Sequence, residues 1–175
     1  MMKTIIYLLM AILSWSVYAQ VEEEIPRAIT LALQLEKLAT EAQSTLQQLA
    51  NKEEPYARER EISKTLYEQY HNQIEQLIYA EQNPQTLYLL ISILYEGYNL
   101  HESLHDRLLF SAVQIAEIAL AKLGTWEAYR YFLRLKSAYG SDGAGVSLYL
   151  HMEYKYFKKH SKDPRVLNSP NGIFI

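Results

Sequence analysis

The sequence predicts an all-α fold of about six helices in three consecutive antiparallel pairs. Apolar residues recur every three or four positions through most of the chain, which is the period of an α-helix. Proline and glycine residues interrupt this period where helices are expected to begin or end. No stretch between them has the alternating pattern that predicts a β-strand. The interrupting residues are Pro26, Pro55, Pro84, Gly97 and Gly124.

Residues 1–19 are predicted to be a cleaved signal peptide. Lys3 precedes an apolar run from Thr4 to Val17, and Val17-Tyr18-Ala19 has the small–x–small pattern of a cleavage site. The 156 residues that remain (175 minus 19) are enough for one domain, which we place at residues 20–162, with an irregular tail at 163–175. The predicted signal peptide indicates a periplasmic or secreted protein. Because the sequence has no cysteine, we expect this protein to be stabilised by its core rather than by disulfides.

The first two predicted helices run from Pro26 to Ala50 and from Tyr56 to Glu81. In the first helix, seven small or apolar residues are spaced alternately by four and three positions, which is a heptad seam. The alanines of this seam allow a partner helix to approach closely, and we expect that partner to belong to the same chain. The seam residues are Ala28, Ala32, Leu35, Ala39, Ala42, Leu46 and Leu49.

The next two predicted helices form a hairpin, with arms at residues 87–96 and 100–123. Both arms are apolar on almost every face, so we expect other helices to surround them. Asn99 and Glu102 have the spacing of a capping box, which places the start of the second arm at Leu100.

The last pair is predicted to run from Thr125 to Tyr139 and from Val146 to His160. Three helix pairs in sequence suit either a helical bundle or a short TPR-like α–α solenoid. The residue pattern of tetratricopeptide repeats does not recur at 34 residues, so the likeness is one of architecture alone. No later stretch is long and apolar enough to predict a transmembrane span.

The string His101-Glu102-Ser103-Leu104-His105 matches the His-Glu-x-x-His pattern of zinc peptidases. Histidines four positions apart on a helix can share a Zn²⁺ ion, and the glutamate between them can activate its bound water. Glu127 is the candidate third ligand, because it follows His105 at the distance along the chain that such peptidases use.

Three features weigh against this interpretation of the string. It begins within the predicted capping box of its helix, it is followed by the charged pair Asp106-Arg107, and no sheet is predicted to bind a substrate. We therefore predict no cofactor, no metal ligand and no catalytic residue. The alternative is a small zinc hydrolase that uses Glu102 as its catalytic residue.

An aromatic and basic surface is predicted on the fifth and sixth helices, where aromatic residues are interleaved with arginines and lysines as they are in protein-binding sites. The alternative is that most of these rings pack against the hairpin. Residues 20–104 carry a net charge of −8 and residues 105–175 one of +4. A negatively charged exported chain is not expected to bind nucleic acid.

We predict a protein-binding module of the cell envelope, in one form an immunity-type inhibitor of a toxin delivered to the periplasm. A structural envelope component is a further alternative. The predicted contact residues are Trp126, Tyr129, Arg130 and Arg134.

The predicted leader can be tested directly. We expect cleavage between Ala19 and Gln20, because a small–x–small site follows the apolar run. Mass spectrometry of the exported protein measures the new N-terminus, and retention of residues 1–19 would show a membrane-anchored protein instead.

Overall fold

The computed structural model describes residues 23–50, 56–97, 103–139, 153–159 and 161–169. These residues contain no strand, so the all-α prediction is confirmed. They form five long helices, a π-helical segment at Glu153–Lys158 and a short C-terminal helix. The helices are α1 (Glu24–Leu49), α2 (Tyr56–Tyr79), α3 (Pro84–Gly97), α4 (Leu104–Lys122), α5 (Trp126–Tyr139) and α6 (Pro164–Leu167).

Alternate helices lie in two layers. In one layer α1 packs against α3 and α3 against α5, and in the other α2 packs against α4 and α4 against the π-helical segment. Between the layers, α1 packs against α2 and α4, α3 packs against α4, and α4 packs against α5. The order of contacts is that of a short α–α solenoid, and the α1–α4 contact closes its first four helices into a bundle.

The seam of α1 packs within the chain, as expected. Six of its seven residues are buried, and only Leu49, at the end of the helix, is exposed. The seam helix contacts α2, α3 and α4. Alanine side chains permit this because they let helix axes approach closely without a large loss of side-chain entropy.

The predicted hairpin is buried, also as expected. On α3, Leu87, Leu90 and Ile91 have no exposed surface, because α1, α4 and α5 surround this helix. Helix α4 ends before Gly124, whose φ of +63° is a conformation that glycine adopts without strain. The Gly124 carbonyl accepts a hydrogen bond from Ser161 Oγ at 2.5 Å, which ties the C-terminal segment to the end of the hairpin.

The predicted start of α4 at Leu100 is wrong, because Ser103 has an extended backbone (φ −67°, ψ 157°) and is the N-cap of the helix. Its hydroxyl accepts a hydrogen bond from the Asp106 N–H at 3.1 Å, which satisfies one of the free donors of the first turn. Asn99 and Glu102, the predicted capping pair, lie outside the described residues.

Part of the predicted irregular tail is helical. Asp163 caps α6 by accepting a hydrogen bond from the Arg165 N–H at 2.9 Å, and Val166 is fully buried. Ser169 Oγ donates to the Tyr129 hydroxyl at 2.8 Å. This segment is ordered because it covers the aromatic core below α5. Of the predicted sixth helix, residues 146–152 lie outside the described residues and Glu153–Lys158 are π-helical.

None of the helices in the described ranges is long and apolar enough to span a bilayer. The predicted leader and its cleavage site lie outside those ranges.

The seam can be tested by enlarging one of its alanines. Ala39 is fully buried, so Ala39→Leu should lower the free energy of unfolding by about 1–3 kcal/mol through overpacking. The neighbouring Thr40 is exposed, so Thr40→Leu should change that free energy by less than about 0.5 kcal/mol. Urea unfolding followed by circular dichroism compares the two variants. Equal effects would show that the seam is not a close-packed contact.

Candidate functional site

His105 links α4 to α1, and each of its ring nitrogens lies beside a carboxylate. Its Nε2 lies 3.1 Å from Glu36 Oε1 on α1, and its Nδ1 lies 3.0 Å from Asp106 Oδ1 in the first turn of α4. The His105 backbone N–H also donates to Gln43 Oε1 at 3.4 Å. The contacts with Glu36 and Gln43 join the beginning of α4 to the middle of α1, and Asp106 contacts the ring from within α4.

The two carboxylates favour the protonated form of this histidine. Burial is the largest single influence and by itself lowers the pKa of His105, but the hydrogen bonds to Asp106 and Glu36 and the charges of both carboxylates together raise it above its ordinary value. A protonated imidazole donates from both nitrogens and has no lone pair for a metal ion. The observed geometry therefore suits a charged bridge between helices better than a zinc ligand.

The predicted zinc ligands do not come together. His105 is in the first turn of α4, whereas Glu127 is exposed in the first turn of α5, beyond the other end of α4. Since an α-helix rises 1.5 Å per residue, His105 and Lys122 are about 25 Å apart along the axis. Glu127, the third ligand in the alternative zinc interpretation, is thus too far from His105 to share a metal ion with it. His101 and Glu102 lie outside the described residues, and no group of three potential metal ligands was found in the part that is described.

A serine and a histidine also meet between α2 and α4. Ser111 Oγ lies 2.8 Å from His71 Nδ1, a distance that a nucleophile and its base would have. However, Ser111 is only 4% exposed and lies in the middle of a helix, so a substrate has no access to its hydroxyl. The contact satisfies a buried polar group. Sequence spacing does not reveal such a pair, because its members belong to different helices.

The junction of α1, α2 and α3 holds a second buried polar cluster. The Asn83 side chain caps α3 by accepting a hydrogen bond from the Gln85 N–H at 2.8 Å, and it donates to Glu24 Oε1 at 2.6 Å. Glu81 accepts a hydrogen bond from the Asn83 N–H at 2.7 Å and pairs with Arg27 Nε at 2.8 Å. A cleft of about 330 Å³ opens beside it, but its two charged residues, Arg27 and Glu81, already neutralise each other.

The outward side of α5 carries the exposed residues of the predicted contact surface. Arg130 and Arg134 are exposed, Leu133 is 37% exposed and Trp126 is half-buried. At about 100° per residue, these four side chains lie within an arc of about 100° on the helix. We call Trp126, Arg130, Leu133 and Arg134 the α5 surface.

Tyr129 does not belong to this surface, and its predicted role as a partner contact is wrong. It is only 1% exposed, and its ring packs edge-on against Phe157 with 5.2 Å between ring centroids. It is buried on the inward side of α5 together with Ala128 and Phe132. Leu133, which is not among the predicted contact residues, is exposed on this side of the helix instead.

Stacked tyrosines fix α5 against α3. Tyr88 stacks on Tyr131 with 4.9 Å between centroids, and Tyr95 stacks on Tyr139 with 4.2 Å. Burial is the main cause that raises the pKa of both Tyr131 and Tyr139 above the ordinary value. The Arg134 guanidinium lies 5.4 Å from the centroid of the Tyr131 ring, so the same stacking positions one of the exposed arginines.

At the other end of the α5 surface, Arg165 covers one face of Trp126. Its guanidinium lies 5.4 Å from the centroid of the Trp126 ring. The charge of Arg165 is paired with Asp163, with 2.7 Å between Nη2 and Oδ2. This arrangement holds the indole in place without adding a free charge beside it.

Comparisons of the chain with protein-family models, with curated proteins and with solved structures each found no match.

The His105 bridge predicts how stability depends on pH. Because the folded-state pKa is raised, the bridge stabilises the fold fully below the unfolded-state pKa of about 6.5 and loses this effect as pH rises through the folded-state value. The difference in free energy of unfolding between wild type and His105→Gln should therefore be largest below pH of about 6.5 and should shrink above it. Urea unfolding across a pH series measures this difference.

A matched pair of variants on α1 isolates the cause of this effect. Glu36→Gln should reduce the pH dependence, since Glu36 accepts from the ring. Glu41→Gln, on the same helix and paired with Lys37 at 3.7 Å, should leave it unchanged. If the Glu36 and Glu41 variants behave alike, His105 does not act through this bridge.

The metal prediction has its own test. We expect the purified protein to hold no stoichiometric zinc, because both ring nitrogens of His105 already contact carboxylates, at 3.0 and 3.1 Å, and Glu127 lies beyond the other end of α4. Elemental analysis of protein prepared without chelators measures the zinc content. One zinc per chain that disappears in His105→Ala would contradict this expectation and favour the hydrolase.

Proposed function

We propose that this is an exported helical protein that binds another protein through the α5 surface. The observation that supports the proposal is the exposure of a leucine, a half-buried tryptophan and two arginines on one side of a single helix. Tryptophan and arginine dominate the residues that contribute most to protein–protein binding. Apolar contacts bordered by charged groups are the usual composition of such an interface.

The rigidity of α5 also supports this proposal. Its inward side is anchored in the core by Phe132 and Tyr129, and its flank is held to α3 by the tyrosine pairs. A surface whose residues are already positioned loses less conformational entropy when it binds. Binding through α5 therefore requires no rearrangement of the helix.

The sequence supports a proposal for the compartment in which the partner is met and for the kind of partner. The predicted leader at residues 1–19 favours export, so the partner would be met in the periplasm or outside the cell. We propose, as the specific form, an immunity-type inhibitor of a toxin delivered to the periplasm. A small exported helical domain whose strongest surface feature is one aromatic and basic helix face suits that role.

A pull-down from periplasmic extract, followed by identification of the retained protein, tests the proposal. Arg130→Glu combined with Arg134→Glu should remove the partner without unfolding the chain, since exposed substitutions seldom cost more than about 0.5 kcal/mol. Binding should also shift the fluorescence of Trp126, the single tryptophan after the predicted cleavage site.

The matched control is Lys37→Glu with Lys64→Glu, which reverses two exposed charges on α1 and α2. This control should retain the partner. If reversal of Glu59 and Glu61 on α2 abolishes binding while the arginine variant binds normally, the binding surface lies on the acidic half of the molecule instead.

A further inference from the structure

We infer that the α5 surface binds an acidic helix of the partner protein. Two carboxylates of that helix, one turn apart, would pair with Arg130 and Arg134, and an apolar side chain beside them would pack on Leu133 and Trp126. This inference rests on the proposed function, because it specifies the class of partner for the same surface.

The charge around α5 is the first support. In the described ranges 126–139, 153–159 and 161–169 there are eight lysines and arginines and three acidic residues, a net charge of +5. Three of these cations are engaged within the fold: Lys136 is buried, Lys158 donates to the Ser169 carbonyl and Arg165 pairs with Asp163. The other five cations are exposed, and none pairs with a carboxylate of the described residues; they are Arg130, Arg134, Lys155, Lys159 and Lys162.

The spacing of the two arginines is the second support. Residues four positions apart on a helix have Cβ atoms about 6 Å from each other. Carboxylates at the same spacing on a second helix can meet both guanidinium groups, and each guanidinium can bind a carboxylate through two hydrogen bonds. The stacking of Arg134 on Tyr131 restricts its side chain, so less entropy is lost when it binds.

The apolar residues of the α5 surface favour a protein partner over nucleic acid and over an anionic bilayer. Nucleic acid bound by a helical surface of this kind would stack its bases on exposed aromatic faces, but Arg165 already covers one face of Trp126. An anionic bilayer would need a broad apolar face to enter it, whereas the apolar side of α5 is buried in the core. One exposed leucine beside two arginines suits the apolar side chain and acidic border of a docked helix.

Three labelled helical peptides test this inference by fluorescence anisotropy. The peptides share one leucine-bearing face and differ only in four flanking residues, which are glutamate, glutamine or lysine at helical spacing. We expect the glutamate peptide to bind best and to weaken as the salt concentration rises. Its affinity should fall about tenfold in Arg130→Ala with Arg134→Ala, the effect of losing two exposed charge pairs. Lys37→Ala with Lys64→Ala is the matched control and should bind like wild type.

Four outcomes would overturn the inference. They are a failure of all three peptides to bind, equal binding of the glutamate and glutamine peptides, no effect of the arginine double variant, and stronger arginine-dependent binding to anionic vesicles or single-stranded DNA. Equal binding of the glutamate and glutamine peptides that is lost in Leu133→Ala would refute the acidic helix but leave the proposed function standing. A partner that is retained by Leu133→Ala and by the arginine double variant alike would refute the proposed function itself.

Discussion

The alanine seam of α1 is the contact on which the other helices depend. Three helices pack against α1, and they can approach it because most side chains along the seam end at Cβ. Helices α3 and α4 are apolar on almost every side and need cover from several directions. The chain has no cysteine, so this close packing, rather than covalent cross-links, must offset the loss of chain entropy on folding.

The aromatic residues connect this core to the surface of the molecule. Phe132 and Phe157 lie with 5.0 Å between ring centroids and close the core beneath α5, and the stacked tyrosines join α5 to α3. These rings stabilise the fold, and Tyr131 also positions Arg134 of the α5 surface. A substitution in the ring cluster should consequently change binding as well as stability, whereas the exposed arginines can be changed independently of the core.

The helical periodicity predicted the fold well because burial along a helix repeats with the same period as the sequence pattern. The start of α4 was harder to predict, since Asn99 and Ser103 are both capping residues with an acid three positions later. The bridge between His105 and Glu36 favours a helix that begins after Ser103. His105 and Glu36 are 69 positions apart in the chain. No local pattern contains such a contact, so the sequence did not reveal that Glu36 contacts the candidate zinc ligand His105.

The residues of α5 show a second limit of the sequence pattern. Aromatic and basic residues alternate so densely there that periodicity alone did not separate Tyr129 from Leu133. Which of the two residues is buried depends on the C-terminal segment, which packs back against α5 and whose Ser169 hydroxyl hydrogen-bonds to the Tyr129 hydroxyl. A segment that covers part of a helix but lies 40 residues further along the chain cannot be recognised from the local sequence of that helix.

That returning segment also sets the order in which the molecule can be completed. The first four helices have their contacts with one another as soon as residue 122 has been synthesised, but the rings below α5 wait for Phe157, and Tyr129 waits for Ser169. Until Phe157 and Ser169 have left the ribosome, the aromatic inward side of α5 stays exposed in the nascent chain. A premature stop codon before the codon for Phe157 would therefore yield a helical bundle whose aromatic side at α5 stays uncovered, and such a product should be prone to aggregation and to degradation by proteases.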